Sequence, residues 1–67
     1  MTTKQIGIFL KQARENRGYS RNKLGKYADL HHQTVIAIEE GMEGYHIKNL
    51  IAYCDAVRVK IKFESEF

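Results

Sequence analysis

From Ser20 to Gly41 the chain reads SRNKLGKYADLHHQTVIAIEEG, and this stretch limits the fold more than any other. It carries the punctuation of two short helices set at a tight corner. Ser20 offers a hydroxyl oxygen to the free N–H groups of a first helical turn. Leu24, Tyr27 and Ala28 follow at the i, i+3, i+4 spacing of one apolar face. Asp29 stands at the corner, and Asp is one of the few residues besides glycine that tolerate a left-handed backbone. Leu30 returns to the core, and a second helix opens at His31 with Val35 and Ile38 inward. Glu40-Gly41 closes it, glycine being the usual residue just past a helix end. Gly25 sits inside the first helix, where glycine costs about 1 kcal/mol relative to alanine. Its missing Cβ is expected to let the second helix cross close over the first.

The flanks read as further helices. Thr2 or Thr3 caps one that runs to about Arg17, with Ile6, Phe9, Leu10 and Ala13 inward and Ile8 partly exposed. Gly18 ends it, and Tyr19 packs under the next. After Gly41 comes a loop, Met42-Glu43-Gly44-Tyr45. His46, a weak cap, then starts a helix from Ile47 to about Ala56 with Ile47, Leu50, Ile51 and Cys54 inward. Beyond it the period changes. Val57-Arg58-Val59-Lys60-Ile61-Lys62-Phe63-Glu64 alternates apolar and charged, the pattern of a half-buried strand. No other stretch reads as a strand, so its simplest partner is the same strand of a second copy, antiparallel about a two-fold axis. Val57, Val59, Ile61 and Phe63 would then form a dimer interface. The expected fold is mainly α: four to five short helices, plus a C-terminal β-strand pairing across a dimer. Residues 1–56 form the helical part and 57–67 the dimerisation strand of one domain.

At 67 residues the chain has room for one small core, which usually needs disulfides, a metal or association to hold it. A single cysteine, Cys54, leaves no internal disulfide and suits a reducing compartment. The net charge is only +3, but its distribution is uneven. Lys4, Lys11, Arg14, Arg17, Arg21, Lys23 and Lys26 all precede Asp29, opposed there by Glu15 alone, which points to a side that faces a polyanion. No stretch resembles a signal peptide or spans a bilayer, so a soluble, cytoplasmic protein is expected. Enzyme chemistry finds no support. His31 and His32 point about 100° apart on a helix and do not share a metal. Cys54 lies on an apolar face, where a thiol is core rather than nucleophile.

The small-x-x-Ala spacing, the corner residue, the following Leu and the run Val-x-x-Ile-Glu-x-Gly together resemble the helix-turn-helix of the phage-repressor (lambda repressor and Cro-like) family. The matching residues are Ser20, Leu24, Gly25, Ala28, Leu30, Thr34, Val35, Ile38, Glu39 and Gly41. Gly18-Tyr19-Ser20 is similar to the family's lead-in, and Arg14 fits its helix-one arginine; the similarity runs from about Ile6 to Ala56. Asp29 replaces the commonest corner glycine, Arg21 stands where glutamine is frequent, and Ile36 and Ala37 stand where polar base readers are common. The resemblance implies an ion pair between Arg14 and Glu39 that fixes the second helix of the motif. It also implies a sequence-specific regulator of transcription, a homodimeric repressor on double-stranded DNA, bacterial or phage-encoded, with no cofactor. An antitoxin that also neutralises a toxin is one alternative. A helix-turn-helix interaction module without DNA binding is another, favoured by the apolar Ile36 and Ala37.

A helix of this kind enters the major groove with its first turn against the base edges. With Val35 and Ile38 inward, His32, Gln33, Ile36 and Ala37 are left as base contacts. Gln33 is the best reader, since its amide matches adenine N6 and N7 together. Ile36 and Ala37 offer apolar contact to thymine methyls. Arg21, at a helix N-terminus, is the leading phosphate contact, with Lys23, Tyr45, His46 and Lys48 as further clamps and Arg17 and Lys26 behind them.

Overall fold

The structure, a computed structural model, describes residues 1–66. It has four helices: α1 (Thr3–Asn16), α2 (Arg21–Ala28), α3 (His32–Glu39) and α4 (Ile47–Ala56). Three of the four begin at a side-chain cap. The Thr2 hydroxyl accepts from the Gln5 N–H while the Gln5 side chain accepts from the Thr2 N–H, a reciprocal box that starts α1. The Ser20 hydroxyl accepts from the Lys23 N–H to start α2, and His31 Nδ1 accepts from the Gln33 N–H to start α3. His46 occupies the cap position of α4, but its side chain makes no capping bond.

The helix ends share one device. In α1, α3 and α4 the chain turns left-handed one residue past the cap, and the next N–H reaches back five residues: Tyr19 to the Arg14 carbonyl, Met42 to Ala37, Val59 to Cys54. Asp29 (φ 55°) takes the left-handed place after α2, with the Leu30 N–H bonded to the Gly25 carbonyl. After α4 that place falls to Arg58 (φ 58°). This corrects the reading of the tail. Val57, Arg58 and Val59 belong to the cap of α4, not to a strand. Val57 is 3% exposed in the subunit's own core rather than in a dimer interface. Arg17 Nε donates to the Val57 carbonyl and closes the same cap from α1's end. Among the described residues no strand is present, and Phe67, the end of the expected strand segment, lies outside them.

The core is Leu10, Leu24, Val35, Ile38, Tyr53, Cys54 and Val57, with α3 packed against all three other helices. Three expected faces are rotated. Phe9 and Tyr27 are each 60% exposed, and Ile47 and Ile51 lie outside, because the true inward rows run through other residues. On α4 that row is Leu50, Tyr53, Cys54 and Val57; on α1 it is Ile6, Gly7, Leu10, Ala13 and Arg14. Tyr27 instead stacks against Tyr19, ring centroids 5.2 Å apart. Ile8 is exposed as expected.

Two close approaches depend on glycine. A Cβ on Gly25 would stand 3.0 Å from the Leu30 carbonyl oxygen and 3.7 Å from Val35, so the crossing of α2 and α3 does run over it. A Cβ on Gly7 would fall 2.5 Å from both the Ile38 and Glu39 carbonyl oxygens. Gly7 therefore lets α1 lie directly on the last turn of α3, and Thr3 Oγ1 donates to the Gly41 carbonyl just beyond it.

Candidate nucleic-acid interface

α3 divides its eight residues between two tasks. Val35 and Ile38 are fully buried and Glu39 nearly so, while His32 and Gln33 in the first turn are exposed. Ile36 and Ala37 are half-buried, which leaves their outer edges for apolar contact. The exposed end of the helix is thus its N-terminal end, the positive end of its dipole.

The other end is held by a buried ionic cluster. Arg14 from α1 grips the Glu39 carboxylate with two bonds, Nε at 2.7 Å and Nη2 at 3.1 Å. Arg21 from α2 donates its Nε to Oε1 at 3.0 Å, and the Tyr53 hydroxyl from α4 donates to Oε2. Arg14 has a third bond, to the Tyr19 carbonyl, which ties the α1–α2 loop into the cluster. Burial alone pushes the Glu39 carboxyl up, but the hydrogen bonds from Arg14, Tyr53 and Arg21 hold it below the ordinary carboxylate range. Burial, then the bond to Glu39, pushes the Tyr53 phenol well up, so it stays a neutral donor. The bond to Glu39 likewise raises the Arg14 guanidinium, burial opposing it. Among the described residues no buried side-chain polar atom is left without a partner.

The rim residues divide into free and engaged. Lys48 and His46 are exposed at the start of α4. Arg21 is only one-third exposed, its Nε committed to Glu39, yet its two terminal nitrogens make no hydrogen bond among the described residues. Lys23 leans back over the Tyr19 and Tyr27 rings, its Nζ 5.4 Å and 5.8 Å from their centroids. Tyr45 is half-buried against the core, and burial raises its phenol pKa. Arg17, exposed, commits its Nε to the Val57 carbonyl in the α4 cap. Arg21, Asn22, Lys26 and His32 instead border a polar depression of about 360 Å³ at the α2–α3 corner, beside Asp29. Sequence reasoning passed over Asn22, Gly7 and Tyr53. A hydrophobic count is blind to glycine, and Tyr53 shows itself only when the α4 row is continued to Val57.

Among the described residues no helix is long and apolar enough to cross a membrane. A search of the curated proteins found no match. A helix-turn-helix family model, however, matches residues 10–63, most of the chain and all of the α2–α3 pair. With that match, and with α3 set across α2 at the Gly25 crossing, the chain belongs to the Cro/C1-type, lambda-repressor-like helix-turn-helix family.

Proposed function

We propose that the protein is a sequence-specific regulator of transcription, a homodimeric repressor that lays the first turn of α3 in the major groove of double-stranded DNA. The observation that supports this most is the division within α3: an exposed His32-Gln33 turn on a helix whose far end is clamped by Glu39. A clamped helix presents its readers at a fixed tilt, which base-edge hydrogen bonds require. Gln33 reads a base, His32 a base edge or phosphate, and Ile36 and Ala37 meet thymine methyls. Arg21 offers a phosphate its two free nitrogens beside the N-terminus of α2, where anions are favoured. Lys48 and His46 hold the backbone on the far side, with Lys23 and Tyr45 as outlying contacts once the lysine leaves its rings. Two copies joined through the tail, by Val59, Ile61 and Phe63, set two such helices against successive major grooves, about 34 Å apart. Such a protein, bacterial or phage-encoded, would work in the cytoplasm.

Titration of selected and random duplexes at several salt concentrations tests the roles. Gln33→Ala should lose about 1–3 kcal/mol on the preferred site and relax one base position. Lys48→Ala should weaken all sequences alike and lower the salt slope by about 1. A Gln33→Ala variant that loses as much on random DNA as on selected DNA would remove Gln33 as a reader.

A further inference from the structure

The segment after α4 has no regular secondary structure and leaves its backbone open. From Lys60 to Glu64 no N–H or C=O makes a hydrogen bond to another described residue. Its apolar side chains emerge stepwise. Val59 packs on the core, Ile61 is 42% exposed in a groove beside Phe9 and Leu50, and Phe63 is 94% exposed. An extended edge with open donors and acceptors is a template for another strand. The opposite row carries Lys60, Lys62, Glu64 and Glu66, basic first and acidic last. Two identical strands laid antiparallel match that order to itself.

We propose that residues 60–66 of two copies pair antiparallel about a two-fold axis through Phe63. This rests on the dimeric reading above and deepens it by fixing the register. Apolar faces stay in phase only when the axis passes through a residue, since a one-residue slip turns every side chain over. An axis through Phe63 sets Lys62 opposite the second copy's Glu64 and Lys60 opposite its Glu66, each pair occurring twice. An axis through Ile61 sets Lys60 against Lys62 twice. An axis through Lys62 sets that ammonium against its own copy. It also sets Lys60 opposite Glu64 twice, but Glu66 then falls opposite position 58, and Arg58 is held off the strand in the left-handed cap of α4. Like charges directly opposite destabilise a pair of strands and unlike charges stabilise it. The register centred on Phe63 is the one with unlike pairs alone, and it covers the most exposed side chain of the row with its own symmetry mate.

Charge exchange tests it. Lys60→Glu with Lys62→Glu makes the row wholly acidic; Glu64→Lys with Glu66→Lys makes it wholly basic. All four positions are exposed, so the helices should be untouched, which circular dichroism checks. In sedimentation each variant alone should associate about 100-fold more weakly than wild type, and an equimolar mixture should recover wild-type association. Single cysteines at Ile61, Lys62 and Phe63 locate the axis, because only the residue on it meets its own copy within disulfide reach. Phe63→Cys should cross-link fastest, with the native Cys54 buried. An acidic variant that dimerises like wild type, or cross-linking that peaks at position 61 or 62, overturns the register but leaves a dimer. A wild type that stays monomeric while binding a palindrome tightly overturns the dimer as well.

Discussion

A carboxylate withdrawn from water must find donors or take up a proton, and Glu39, its side chain wholly buried, finds four hydrogen bonds from three helices. Truncating one member of such a cluster strands the others. Arg14→Ala should therefore lose about 3–5 kcal/mol of unfolding free energy, a large part of what a domain this small possesses. The milder Tyr53→Phe removes one bond to the charged oxygen and should lose about 1.5–3 kcal/mol. The cluster also sets the acid limit. Because the folded state depresses the Glu39 pKa, its stabilisation is complete above the unfolded value, about 4.3, and drains away as pH falls from there to the folded value. Tyr53→Phe raises the folded value, so its acid-unfolding midpoint, followed by circular dichroism, should move to higher pH. Gly7 is the apolar counterpart of the cluster. Gly7→Ala drives a methyl into two α3 carbonyl oxygens and should lose about 1–3 kcal/mol or more, measured by urea unfolding, despite alanine's better helix propensity.

At the scale of elements, the helix ends explain both what the sequence disclosed and what it hid. Ser20, Asp29 and Gly41 are residues with one conspicuous backbone use, so the corner of the motif could be read directly from them. Arg58 advertises no such use. It takes the left-handed cap of α4 at a cost of about 1–2 kcal/mol, and the apolar–charged alternation around it looked like the start of a strand. Arg58→Gly should then raise the urea midpoint, by about 0.5–1 kcal/mol in free energy. Phe9, Ile47 and Ile51 misled for a related reason. Their faces were drawn through the most apolar residues, whereas packing ran through Gly7, Arg14 and Tyr53, residues chosen for a close approach or a shared hydrogen bond. The buried pair of Arg14 with Glu39 was legible because the family resemblance named those positions, while Arg21 as a third partner was not.

For the whole molecule, the basic first half is less of a single surface than its charge count implies. Arg14 and Arg17 are turned to internal duty, and Lys23 rests on aromatic rings. Of the remaining cations, Arg21 and Lys26 border the depression that reaches His32 in the first turn of α3, and Lys48 is exposed at the start of α4. On the proposed function, stability and recognition fall on different residues of one short helix. Replacing His32 and Gln33 together by alanine should leave the urea midpoint within about 0.5 kcal/mol of wild type, while binding to the preferred duplex is lost. The clamp at Glu39 thus has an evolutionary corollary. If the proposed function holds, a lineage carrying this frame is free to wander through operator sequences by altering its exposed turn, each step invisible to folding, and a library randomised at positions 32 and 33 should yield new specificities without needing compensating changes in the core.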